Sequence, residues 1–94
     1  MKTAKQLEKH FKGLANHRRI EILLLVERAE GISLEKISEN IECGIKNVCQ
    51  HVQKLHHAGL INKKYNGHTV MHTLSPYGRE VVKFIKSFAN LGGK

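Results

Sequence analysis

The sequence predicts a mainly α-helical domain with one small β-hairpin, an α+β chain in the order α-α-α-α-β-β-α. Three observations predict it. Apolar residues recur at helical spacing through most of the chain. One Asn-Gly pair, Asn66-Gly67, stands between two β-rich runs. Ninety-four residues, 40% of them hydrophobic, suffice for a single core, so residues 1–94 read as one domain.

The first helix is expected over residues 3–13. Ala4, Leu7, Phe11 and Leu14 follow at i, i+3, i+7 and i+10, a narrow stripe among lysines. Gly13 weakens that helix near its end. Asn16 is a suitable N-cap for a second helix over about 17–30. Ile20 and the run Ile22 to Val26 are apolar nearly all round, which marks the core helix. Glu27, Arg28 and Glu30 bring it out to solvent, and Gly31 ends it. Ser33 caps a short third helix whose Leu34, Ile37 and Ile41 face the core.

The stretch from Gly44 to Leu60 is the most informative. Val48, Val52 and Leu55 fall on one face of a helix. Lys46, Gln50, Gln53 and His57 fall on the opposite face, flanked by Asn47 and Lys54. That outer face has no carboxylate. Amides, imidazole and ammonium groups suit base edges and phosphate oxygens. A short helix, a tight turn and this helix make a helix-turn-helix layout.

After Gly59 the pattern turns β-rich. Leu60 to Tyr65 and Thr69 to Leu74 flank Asn66-Gly67, and a hairpin behind a recognition helix is a wing. Ser75-Pro76 opens a last helix, residues 76–91, with Val81, Phe84, Ile85, Phe88 and Leu91 at helical spacing. Gly92-Gly93-Lys94 is expected to fray.

Sixteen Lys and Arg against eight acidic residues give a formal charge of +8. Residues 1–20 carry six basic groups and one acid, residues 21–42 two and six, residues 43–94 eight and one. The recognition candidate begins where the chain turns basic, and the balance favours a polyanionic partner, nucleic acid before an anionic membrane. Cys43 and Cys49 form no CxxC pair and are expected not to bridge. Low cysteine usage and the lack of an apolar leader in MKTAKQLEKH point to a reducing, cytoplasmic setting. No apolar run is long enough for a membrane span. The chain has no Asp, nucleophile elbow or phosphate loop, so catalysis is not expected.

Three runs resemble the ArsR/SmtB-type winged-helix repressors. They are Leu14-Ala15-Asn16 with Arg19-Ile20-Glu21-Ile22-Leu23, the run Val48 to Val52 with Lys54-Leu55 and Ala58-Gly59-Leu60-Ile61, and Asn66-Gly67-His68 through Gly78. The likeness covers about residues 7–80. It implies double-stranded DNA as partner, repression of transcription, and a homodimer joined through the first and last helices. Leu7, Phe11 and Leu14, with Phe84, Ile85, Phe88 and Leu91, would form that interface. The competing reading closes both stripes on one monomer's core. The chain departs from the family where its metal sensors bind. Glu30 to Glu35 contain no thiol, and residues 76–91 contain neither Asp nor His. No metal or other cofactor is expected, and a metal or small-molecule effector is left unassigned.

The expected base readers are Lys46, Asn47, Gln50 and His51. His51 sits nearer the buried face, which leaves a phosphate contact or packing open to it. Lys54 is expected on phosphate, Lys63, Lys64 and His68 on the backbone or minor groove at the wing, and Ser33 on phosphate from its helix start. Two other functions compete: a winged helix that docks a protein partner, and a thiol- or metal-responsive sensor with an unfamiliar site.

Overall fold

A computed structural model describes residues 1–93; Lys94, and with it the end of the expected fraying tail, lies outside the described residues. Helix α1 spans Ala4–Leu14, α2 His17–Arg28, α3 Leu34–Ile41, α4 Ile45–His57 and α5 Pro76–Ala89. Strand β1 is Ile32–Ser33, β2 Ile61–Asn66 and β3 Thr69–Leu74. The three strands form one antiparallel sheet in the order β1-β3-β2. Together they make a winged helix-turn-helix. No helix among the described residues is long and apolar enough to cross a membrane.

The caps explain where the helices start. Thr3 and Gln6 exchange side-chain and backbone bonds in a capping box ahead of α1. Asn16 Oδ1 accepts from the Arg18 and Arg19 amides at the head of α2. Ser33 and Ser75 accept from Lys36 and Gly78 amides in the same way. Helix α2 ends at Arg28, two residues before the expected end, with Ala29 as its C-cap. A 3-10 turn, Leu91–Gly93, follows α5, with Gly92 at a φ of 70°.

Ile22, Leu23, Leu25 and Val26 of α2 are buried at the centre. Ile37, Val48, Val52, Leu55, Leu60, Ile61, Leu74 and Val82 close around them. Each such side chain contributes about 1.5–3 kcal/mol by leaving water. Leu14 and Ile85, expected at a dimer interface, also pack against this core. Leu7, Phe11, Phe84, Phe88 and Leu91 stay exposed.

Two further features differ from the sequence reading. Strand β1 was not expected. Its two residues carry no periodicity, and only pairing with β3 defines it: Ile32 opposite His72 and Ser33 opposite Met71. The hairpin is also shifted by one residue. Asn66 pairs with Thr69, so the two-residue loop is Gly67-His68 rather than Asn66-Gly67. Gly67 has a φ of 64° while His68 has a negative one, the pattern of a type II′ loop with glycine first.

Two glycines allow close approaches. A Cβ on Gly13 would overlap the Ala58 methyl, and one on Gly78 would overlap the Leu60 carbonyl. The first lets α1 cross the end of α4. The second lets α5 begin against the start of the wing. His10 strengthens the first crossing, its Nδ1 lying 2.6 Å from the Ala58 carbonyl while its ring stacks on Tyr77.

Candidate nucleic-acid interface

Helix α4 is held by one face and open on the other. Val48, Val52 and Leu55 are buried, whereas Lys46, Asn47, Gln50, Gln53, Lys54 and His57 are exposed. At 1.5 Å per residue the outer row from Lys46 to His57 runs ~16 Å. The turn before it is tight because Glu42 adopts the left-handed conformation, φ 51°. Gly44 caps α4 and, having no side chain, makes no side-chain hydrogen bond to the first amides of the helix.

The two flanks of α4 differ. Cys49 and Val52 face the wing across a cleft of about 370 Å³. Ser33, Lys63, His68 and His72 line the same cleft. The fold therefore brings Ser33, Lys63 and His68 together beside α4. Lys64 is set apart. It pairs with Met71 while Lys63 pairs with His72, and successive residues of a strand point to opposite faces. Lys63 is half-buried and Lys64 exposed.

The other flank of α4 meets α1 and α2. There His51 is half-buried, with Nδ1 3.4 Å from the Arg19 guanidinium. Burial holds its pKa below the ordinary 6.5, and the positive charges of Arg19, Arg18, His17 and Lys54 push it the same way. Neutral His51 can accept from Arg19. His51 thus packs against α2 through Arg19. Arg19 is itself fixed, its Nε donating to the Gly13 carbonyl at 2.6 Å. Arg18 donates to the Ile41 carbonyl at 3.0 Å and so ties α2 to the end of α3.

The charge pattern sharpens the picture. Among the described residues the ion pairs are Glu8–Lys12, Arg18–Glu21, Lys36–Glu39, Glu30–Arg79, Glu80–Lys83 and Glu27–Lys86. Lys46, Lys54, Lys63 and Lys64 stand outside all of them. Cys43 is half-buried against the core, Cys49 is exposed, and both are free thiols. No group of three or more His, Cys, Asp or Glu among the described residues is gathered closely enough to hold a metal ion.

Sequence reasoning missed two parts of this region. Arg19, Lys9 and Lys12 converge beside Lys54, and the basic excess of residues 1–20 was their signal. His72 is 2% exposed, its Nδ1 2.8 Å from the Ile32 carbonyl. Its place on the same strand face as buried Leu74 was the signal for burial.

The family model HVO_A0114 matches residues 14–82, from the last residue of α1 to Val82 in α5. The chain belongs to the HVO_A0114 family. The matched span of this HVO_A0114 member contains the whole helix-turn-helix and wing. Among curated proteins none matches the chain. Solved structures do. HlyU from Vibrio cholerae N16961 is 28% identical, with 97% of this chain and 96% of that chain covered at a TM-score of 0.79. The homodimeric winged helix-turn-helix DNA-binding domain of Mb0332 from Mycobacterium bovis, a possible ArsR-family transcriptional regulator, is 22% identical. It matches over 96% of this chain and 83% of that one, at a TM-score of 0.82. An ArsR-like transcriptional regulator from Rhodococcus sp. RHA1 is 22% identical, with 94% and 80% covered and a TM-score of 0.71. The HVO_A0114 chain thus has the fold of ArsR-type winged helix-turn-helix regulators.

Proposed function

We propose that this protein is a sequence-specific double-stranded DNA-binding transcriptional regulator that works as a homodimeric repressor. The carboxylate-free outer face of α4, standing clear of the body with a cationic wing at its flank, carries the reading. Lys46, Asn47 and Gln50 read base edges in the major groove. Lys54, Lys63, His68 and Ser33 meet phosphate, with Lys64 on the outer side of the wing. Affinity comes from phosphate neutralisation and sequence choice from the α4 side chains.

The dimer joins α1 and α5 across a two-fold axis. Phe11, Phe84, Phe88 and Leu91 are between 55% and 67% exposed and lie on the two terminal helices. Such apolar area on a small domain favours a second copy. The Mb0332 domain, described as homodimeric, has the same fold. Two α4 helices about one DNA turn, ~34 Å, apart would read a near-palindromic site and occlude it from other proteins.

Selection of bound duplexes from a random pool tests this directly. The expected result is an enriched sequence with two inverted half-sites about 10 base pairs apart. A pool that never departs from random, with no salt-dependent binding to any duplex, refutes it.

A further inference from the structure

The geometry points to a notch between α1, α2 and α4 as a second DNA-phosphate clamp, gripping the strand opposite the one the wing meets. This inference rests on the DNA-binding reading and adds to it residues of α1 that precede the helix-turn-helix.

The notch measures about 230 Å³ and is lined by Lys9, Lys12, Arg19, Lys54 and His57, with Gly13 and Ala58 as its floor. No carboxylate lines it. Among the described residues, Lys12 alone of the notch side chains forms an ion pair, with Glu8 at 3.5 Å, and both of those side chains are largely exposed. Arg19 is pre-set: its Nε is bound to the Gly13 carbonyl and one terminal nitrogen to His51, which leaves the remaining N–H groups for an oxyanion. His51, beside the notch, has its pKa lowered first by burial and then by the positive charges of Arg19, Arg18, His17 and Lys54, of which Arg19 and Lys54 line the notch.

Position decides what the oxyanion is. At 100° per residue, Cys49 lies on one flank of α4 and Lys54 on the other, with Gln50 and His57 between them. The wing cleft contains Cys49; the notch contains Lys54. A helix with its side chains is about 10–12 Å across and the major groove about 12 Å wide. A helix seated there has a phosphate wall on each side. The wing with Lys63 and His68 stands at one wall, and the notch, with the four cations Lys9, Lys12, Arg19 and Lys54, stands at the other. The close Gly13–Ala58 crossing is what carries Lys9 and Lys12 to that place.

The test uses the full chain and a random-sequence duplex, with affinity followed against potassium chloride concentration. The variants are K9Q/K12Q and, as an equal change of charge elsewhere, R28Q/K83Q. All four positions are exposed on helices, and a circular dichroism melt confirms that each variant folds. Two lost phosphate contacts should flatten the slope of log K against log salt by about 1.8 in K9Q/K12Q, with R28Q/K83Q close to wild type. If the wild type binds with a steep slope and K9Q/K12Q matches it, the notch is not a clamp, while DNA binding through α4 and the wing stands. An equal flattening in R28Q/K83Q assigns the effect to net charge and overturns the clamp. A wild type that binds no duplex removes both the clamp and the DNA-binding reading. Titration with inorganic phosphate by calorimetry separates the remaining source. Saturable binding lost in K9Q/K12Q, with an unchanged DNA slope, makes the notch a free-oxyanion site instead.

Discussion

Gly13 lies against the methyl group of Ala58, so closely that any side chain at position 13 would occupy the same space. The Lys54 carbonyl stands 3.2 Å from the same point. Helix propensity alone favours Ala over Gly by about 1 kcal/mol. Overpacking at such a crossing costs about 1–3 kcal/mol. We therefore expect Gly13→Ala to lower the thermal midpoint, and the pair Gly13→Ala with Ala58→Gly to recover part of the loss through coupling. A midpoint raised by Gly13→Ala would mean that α1 does not cross α4 this closely.

Gln50 is exposed at the middle of the outer face of α4. A bidentate amide–adenine contact discriminates by about 1–3 kcal/mol. Gln50→Ala should weaken binding to the selected sequence by that amount and leave random duplex binding unchanged. Equal losses on both would remove Gln50 from the base readers.

Lys63 and Lys64 point to opposite faces of the hairpin, so they cannot serve one backbone equally. Lys63 faces the cleft beside α4. Lys63→Gln should flatten the salt slope by about 0.9, and Lys64→Gln by less than half of that. Matching slopes for the two variants would contradict this division of the wing.

His72 is held below the ordinary pKa of 6.5, first by burial and also by Lys63 and His56, against the Ile32 hydrogen bond and Glu35, which act upward. Burial therefore favours the neutral ring in the folded state. Between the lowered folded value and 6.5 the unfolded chain binds more protons, so stability rises with pH there. Stability contributed by this group is complete above about pH 6.5 and declines as pH falls toward the folded value. His51 and His56, shifted in the same direction, add to the trend. Melts between about pH 8 and pH 5.5 should show a falling midpoint on the acid side, with a shallower fall in His72→Phe. An unchanged fall in that variant would assign the acid sensitivity to other groups.

Phe84 and Phe88 lie with ring centroids 5.5 Å apart, and both rings are more than half exposed. Phe88→Glu should leave the monomer's core intact and place a charge on the proposed dimer face. Sedimentation should then give a monomer, with specific DNA binding reduced at least tenfold. A variant that sediments like the wild-type dimer would move the interface elsewhere.

Local signals made much of the architecture legible. Asn16, Ser33 and Ser75 are capping residues whose chemistry acts within three residues of the chain, and each caps the helix expected of it. The periodicity of Val48, Val52 and Leu55 sufficed to orient α4, because one face of a helix is decided by spacing alone. Its outer residues are where that spacing puts them. The two-residue strand β1, by contrast, exists only because His72 and Met71 lie opposite it.

By itself, then, the sequence determined the helices, the wing and the carboxylate-free face, since these depend on side chains near in the chain. Only the tertiary structure decided which lysine faces the cleft, that His72 is buried, that Leu14 and Ile85 serve the monomer's core, and that Lys9, Lys12 and Arg19 meet Lys54. Those outcomes depend on how separate elements cross, and crossings such as Gly13 against Ala58 join residues 45 apart in the chain. No local period encodes such a contact; it is set when the elements pack.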